Sequence, residues 1–116
     1  MIILTDYRNP WDVLRCVESS IPSPGVAEVL LRVHAVGLNI GSSISMKTMP
    51  SFMIKKPAIP ETDVAGTIVS VGKEVQQWKE GDQVFGAIPA SDMYRRHQGG
   101  LREYALLKAE NMYHPL

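Results

Sequence analysis

The chain has almost no cysteine. Cys16 is the only one in 116 residues, which excludes an internal disulfide and a cysteine-rich metal site and fits a reducing compartment. An excess of one charge is also missing. Twelve Lys and Arg balance twelve Asp and Glu, so no basic or acidic face points to nucleic acid or a membrane surface as partner. The densest basic runs, Lys55-Lys56 and Arg95-Arg96-His97, read as solvated loops. No apolar run approaches the length that spans a bilayer. Met1-Ile2-Ile3-Leu4-Thr5-Asp6 lacks the basic start and long apolar stretch of a signal peptide. The expectation is a soluble, cytoplasmic domain. At 45% hydrophobic and 21% charged residues it has enough apolar material for a core.

Phosphate-binding motifs are absent as well. There is no G-x-G-x-x-G, and Gly81 and Gly86, though at P-loop spacing, lead into Ala87 and Ile88 rather than Lys and Ser or Thr. Those glycines read as turns and strand ends, and the chain alone is not expected to hold a dinucleotide tightly. The three histidines, His34, His97 and His114, lie far apart with no partner spacing. A structural zinc site needs about four Cys or His ligands, so no metal is expected. His34 reads as a half-buried strand histidine with a hydrogen-bond partner.

What is present is a series of short strands with turn residues between them. Ile2 to Leu4 and Val13 to Glu18 come first, then Pro22-Ser23-Pro24-Gly25, where proline fixes φ and glycine accepts a positive one. Glu28 to Val36 alternates clearly, with Val29, Leu31, Val33 and Ala35 on one face. Asn39 to Met49 has no alternation and reads as a short helix or irregular segment. Pro50, Pro57 and Pro60 mark a loop. Thr62 to Val71 and Gln83 to Ala87 are strands, the second reached through a turn at Gly81. Ser91 to Gly100 reads as a mobile loop, and Leu101 to Leu107 resumes alternation. Such spacing predicts a barrel or sandwich of mainly antiparallel strands.

Nucleophiles and acids give little. Cys16 lies between Leu14 and Val17 and reads as a small buried hydrophobe. Glu61 and Asp63 read as a solvated carboxylate and a hydrogen-bonded strand start. Ala65-Gly66 inside a strand costs packing, which makes sense where another backbone or a ligand comes close.

The ordered set of motifs resembles the N-terminal, GroES-like domain of the medium-chain dehydrogenases and reductases. The pieces are Pro22-x-Pro24-Gly25 before Glu28-Val29-Leu30, Val33-x-Ala35-x-Gly37-Leu38-Asn39, and Pro57-x-Ile59-Pro60-x-x-Asp63-x-Ala65-Gly66. Val71-Gly72, Gly81-Asp82-x-Val84-x-Gly86 and Gly100-Leu101-x-Glu103-Tyr104 follow. The resemblance implies a mainly β fold, a GroES-like partly open β-barrel with short helical segments, over residues 1–116 and without the Rossmann nucleotide-binding domain. Zinc enzymes of the family carry ligands where Asn39 and Thr62 stand, so the chain is similar to the zinc-free quinone oxidoreductase and enoyl reductase branch. That branch implies hydride transfer from NADP(H), with Asn39, Ser42 and Thr62 facing substrate and cofactor. Catalysis in it rests on cofactor and orientation. Two departures stand out: Ile40-Gly41-Ser42 replaces the usual Pro-x-Asp, and Glu61 replaces a glycine beside the pocket. With the nucleotide-binding domain lacking, the chain is expected to be inactive alone, to need that domain to engage a small-molecule substrate, and to self-associate through exposed interdomain surface. The alternative is a non-catalytic binding or assembly module that uses the barrel as its contact surface.

Overall fold

The computed structural model describes residues 2–4, 14–48, 58–96 and 98–115. Lys55, Lys56, Pro50, Pro57 and His97 lie outside the described residues. Among the described residues, seven strands and two helices run in the order β1 (Ile2–Leu4), β2 (Leu14–Cys16), β3 (Glu28–Gly37), α1 (Ile40–Thr48), β4 (Asp63–Val71), β5 (Gln83–Ala87), α2 (Ala90–Arg95), β6 (Tyr104–Lys108) and β7 (Met112–Tyr113). A single 3-10 turn, Ala109–Asn111, joins the last two strands. β1 and β2 pair alone, and the other five form a curled antiparallel sheet in the order β6-β3-β4-β5-β7. This is the mainly β, partly open barrel with short helices that the resemblance implied.

The core follows from period-2 burial. β4 turns Val64, Gly66 and Ile68 inward, β5 turns Val84 inward, and Val29, Leu31, Leu107 and Met112 meet them from the neighbouring strands. Trp78 closes one end, its indole N–H donating to the Ala109 carbonyl at 3.0 Å. The turn before β3 is not the one expected: it is centred on Val26 and Ala27, after the Pro22–Gly25 run, and Gly25 has no positive φ. The Glu28 N–H donates to the Gly25 carbonyl at 3.1 Å, and the Glu28 carboxylate accepts the Gly25 N–H at 2.9 Å.

β3 departs from its expected face. In the β3–β4 ladder Val33 faces Gly66 and Ala35 faces Ala65, so His34 is an extra residue, a bulge. Past it the phase flips. Ala35 is exposed, and Val36 packs against the core instead. His34 itself is exposed and hydrogen-bonded to the Thr67 hydroxyl at 2.9 Å.

Three further expectations are corrected. Ser91 to Gly100 is not a loop throughout, because Ala90–Arg95 is helical, with Met93 in the core. Asp92 is buried there and its carboxylate meets Arg96 at 3.5 Å and Lys108 at 3.9 Å. Leu101 to Leu107 is a strand only from Tyr104, and Ala105, Leu106 and Leu107 are all buried, so the run is covered on both faces rather than alternating. Cys16 is exposed, not a buried hydrophobe, in a β2 that pairs with β1 alone among the described strands.

Gly81 carries a φ of +91° in the turn that leads to β5, with open space where a Cβ would stand. Alanine there meets no atom but must adopt a left-handed backbone, so G81A is expected to cost about 1 kcal/mol. Thermal unfolding reads this as a midpoint lowered by about 4 °C.

Candidate functional site

The corner between β3 and α1 holds the residues singled out from the sequence. β3 ends at Gly37, Leu38 crosses in the open, and Asn39 stands immediately before the helix. Its side-chain oxygen accepts the Gly41 N–H at 2.7 Å, and its backbone carbonyl accepts the Ser42 N–H at 3.1 Å. Asn39 is therefore the N-cap of α1, a position its short polar side chain suits. Because the amide oxygen takes the Gly41 proton, the amide NH2 turns away from the helix and keeps its two donors. Ser42 sits half-buried in the first turn.

The start of β4 comes up against this corner. Glu61, expected in solvent, is buried, and its carboxylate accepts the Asn39 backbone N–H at 3.1 Å. Thr62 is half-buried beside it, with its carbonyl accepting the Ile88 N–H at 2.8 Å. Asp63 is the exposed member of the pair, the reverse of the expected order. Asn39, Ser42 and Glu61 are thus tied into one hydrogen-bonded unit, and Thr62 adjoins it through the chain. Glu61 is the residue that sequence reasoning undervalued. Its signal was a glutamate in a position where the resemblance expects glycine.

Next to the corner lies an open, almost wholly apolar groove of about 520 Å³. Ala35, Gly37, Ala65, Phe85 and Tyr113 line it, and Asp63 is its one charged residue. The rings of Phe85 and Tyr113 stack at 5.6 Å. None of Asn39, Ser42 and Thr62 lines this groove. Gly66 of β4 is explained by backbone approach, since a Cβ there would overlap the Arg32 carbonyl, whereas Ala65 lines the groove. A second hollow, of about 660 Å³, lies between β2 and the start of β6 and includes Cys16, Arg102 and Tyr104. Burial holds the Arg102 guanidinium below its ordinary pKa, although guanidinium remains charged at neutral pH.

At the start of α1, where an anion would be met, the Gly41 and Ser42 N–H groups are engaged by Asn39. Among the described residues, no three of His, Cys, Asp and Glu come together to hold a metal ion. No helix among them is long and apolar enough to cross a membrane.

A half-barrel with its glycines at strand crossings and a helix capped from the end of β3 defines a class. Residues 25–116 match the alcohol dehydrogenase GroES-like domain, and the chain belongs to that family. It is 36% identical over 103 residues to a chloroplastic quinone-oxidoreductase of Triphysaria versicolor, covering 87% of this chain and 30% of that one. The fold superposes on the quinone oxidoreductase of Coxiella burnetii with a TM-score of 0.86 at 21% identity, over 99% of this chain and 36% of that one. It superposes on the Escherichia coli quinone oxidoreductase complexed with NADPH with a TM-score of 0.78 at 22% identity, over 97% and 32%. The chain spans about a third of the length of these relatives.

Proposed function

We propose that this domain is the substrate-facing half of a zinc-independent, NADP(H)-dependent oxidoreductase of the quinone oxidoreductase or enoyl reductase kind. By itself it transfers no hydride. The observation that carries the reading is the construction of the β3–α1 corner. Where zinc enzymes of the resemblance hold ligands, Asn39 spends its oxygen on capping α1 and its backbone N–H on Glu61. That is a hydrogen-bonded corner, built to orient rather than to coordinate.

In this reading the Asn39 NH2 and the hydroxyls of Ser42 and Thr62 supply donors to the oxygen of a quinone or an activated carbonyl. Holding that oxygen in one orientation is the work such a wall performs. In this reading the pyrophosphate of the cofactor lies on a nucleotide-binding module, and the engagement of the Gly41 and Ser42 amides by Asn39 supports that. Localisation in the cytoplasm is part of the same proposal.

Leu38, Ile40 and Ile44 are strongly exposed beside the corner, which supports self-association of the isolated domain through this strip. The same strip favours the second reading, a non-catalytic module that docks a protein there.

Grafting residues 1–116 in place of the corresponding domain of the Escherichia coli quinone oxidoreductase tests the choice. The expected result is NADPH oxidation dependent on an added quinone or enone, undiminished by a metal chelator. A folded, NADPH-binding graft that reduces neither acceptor favours the assembly module. Loss of activity on chelation contradicts the zinc-free assignment.

A further inference from the structure

Glu61 has a backbone that glutamate seldom adopts. Its φ is +76°, and it is the only non-glycine residue with a positive φ among the described residues. The chain around it imposes that conformation. The Glu61 carbonyl accepts the Gly100 N–H at 2.7 Å, and the Pro60 carbonyl accepts the Leu101 N–H at 3.1 Å. The Gly99–Gly100 segment presses so closely that a Cβ on Gly99 would overlap the Ile59 carbonyl, and one on Gly100 the Val64 side chain. A glycine would occupy position 61 without strain. This chain keeps the backbone and adds a carboxylate to it.

That carboxylate has a specific use. It is carried inward, where Glu61 is 6% exposed, and it accepts the Asn39 N–H. The linkage then runs in series. Gly100 fixes the Glu61 backbone, the Glu61 side chain fixes the Asn39 backbone, and the Asn39 side chain fixes the first turn of α1. The described side chains of α1 give the helix little other anchorage, since Ile40 is 78% and Ile44 53% exposed. A helix with few buried apolar contacts depends on its end bonds for its orientation.

We propose that Glu61 is a positioning residue, a carboxylate latch that fastens the capped start of α1 to the start of β4 and so sets Asn39 and Ser42 relative to Thr62. Its role in substrate orientation rests on the function proposed above, but the latch itself does not. It works on the other two residues and has no contact of its own with substrate.

The test is backbone amide hydrogen exchange, read residue by residue, on the whole 116-residue chain as wild type, Glu61→Gly and Glu61→Gln. Glycine removes the latch and suits the positive φ, so the variant folds. Glutamine keeps a side-chain oxygen in reach of the same N–H. The expected result in Glu61→Gly is exchange at Asn39, Gly41 and Ser42 faster by about tenfold or more, the loss that a charge-assisted hydrogen bond represents. Core amides such as Leu31 and Ile68 keep wild-type rates, and Glu61→Gln restores most of the protection at Asn39. Wild-type exchange at Asn39 in Glu61→Gly overturns the latch. So does an equal acceleration of the core amides, or a glutamine variant that exchanges as fast as the glycine one. None of these readouts needs activity, so failure of the latch and failure of the proposed reaction are separable.

Discussion

Gly66→Ala is expected to remove a large share of the stability of the domain. Gly66 sits at the middle of β4, opposite Val33 of β3 and Val84 of β5, in the centre of the five-stranded sheet. A Cβ placed there would overlap the Arg32 carbonyl oxygen and approach the Leu31 side chain at 3.1 Å. The obstacle is backbone on the neighbouring strand, not the end of a side chain that can swing away. Accommodating one methyl group means parting β3 from β4 where the core is densest, with Leu31 and Ile68 fully buried on either side. Overpacking of a tight core costs about 1–3 kcal/mol even where side chains can shift. Against a rigid strand we expect about 3 kcal/mol or more, a large share of the ~5–15 kcal/mol by which such domains are stable. Urea denaturation measures it as a midpoint displaced at constant slope. A variant within about 0.5 kcal/mol of wild type would show that the sheet yields at this crossing.

The second large effect is expected at Trp78. It is the largest side chain of the core cluster, it closes one end of the core through its bond to Ala109 of the 3-10 turn, and its ring lies 4.5 Å from that of His114. Trp78→Ala removes the packing and leaves a cavity, for which about 3–5 kcal/mol is expected. Trp78→Phe separates the two contributions. It keeps an aromatic ring but takes the donor from the Ala109 carbonyl, and an unmet buried acceptor costs about 1–3 kcal/mol. The alanine variant must therefore fall well below the phenylalanine one in denaturant midpoint. Equal midpoints would mean that the hydrogen bond, not the packing, holds this end closed.

β3, β4 and β5 were legible as strands because burial on one side imposes a period of two on the residues. β4 shows this most plainly, with Val64, Gly66 and Ile68 inward. The glycine of the turn before β5 was legible because its positive φ has few other solutions. What escaped was set by partners distant in sequence. The bulge at His34 exists because β4 forces the register on β3, and it moved Ala35 outward and Val36 inward. The helix Ala90–Arg95 has a polar sequence that suggests a loop. It is helical because Met93 reaches the core and Asp92 meets Lys108 of β6. Cys16 looked like a core residue from its neighbours, but among the described strands β2 pairs only with β1, and Cys16 is exposed.

The site divides in the same way. Asn39 and its neighbours were found through motif order, and their arrangement as cap and first turn is local. Glu61 was misread because nothing near it in sequence signals burial. The carboxylate turns inward only because Gly99–Gly100 crosses its backbone and Asn39, twenty-two residues earlier, offers an N–H. Local chemistry is written in local sequence, whereas a latch between two segments is not.

The division of labour proposed for this domain predicts a substrate wall without a cofactor site of its own. Titration of NADPH into the purified 116-residue chain, followed by calorimetry or nucleotide fluorescence, tests that most directly. The expected result is no saturable binding below the millimolar range, since Asn39 engages the Gly41 and Ser42 amides at the start of α1. Saturable binding at micromolar NADPH would contradict it and place the cofactor site within these residues.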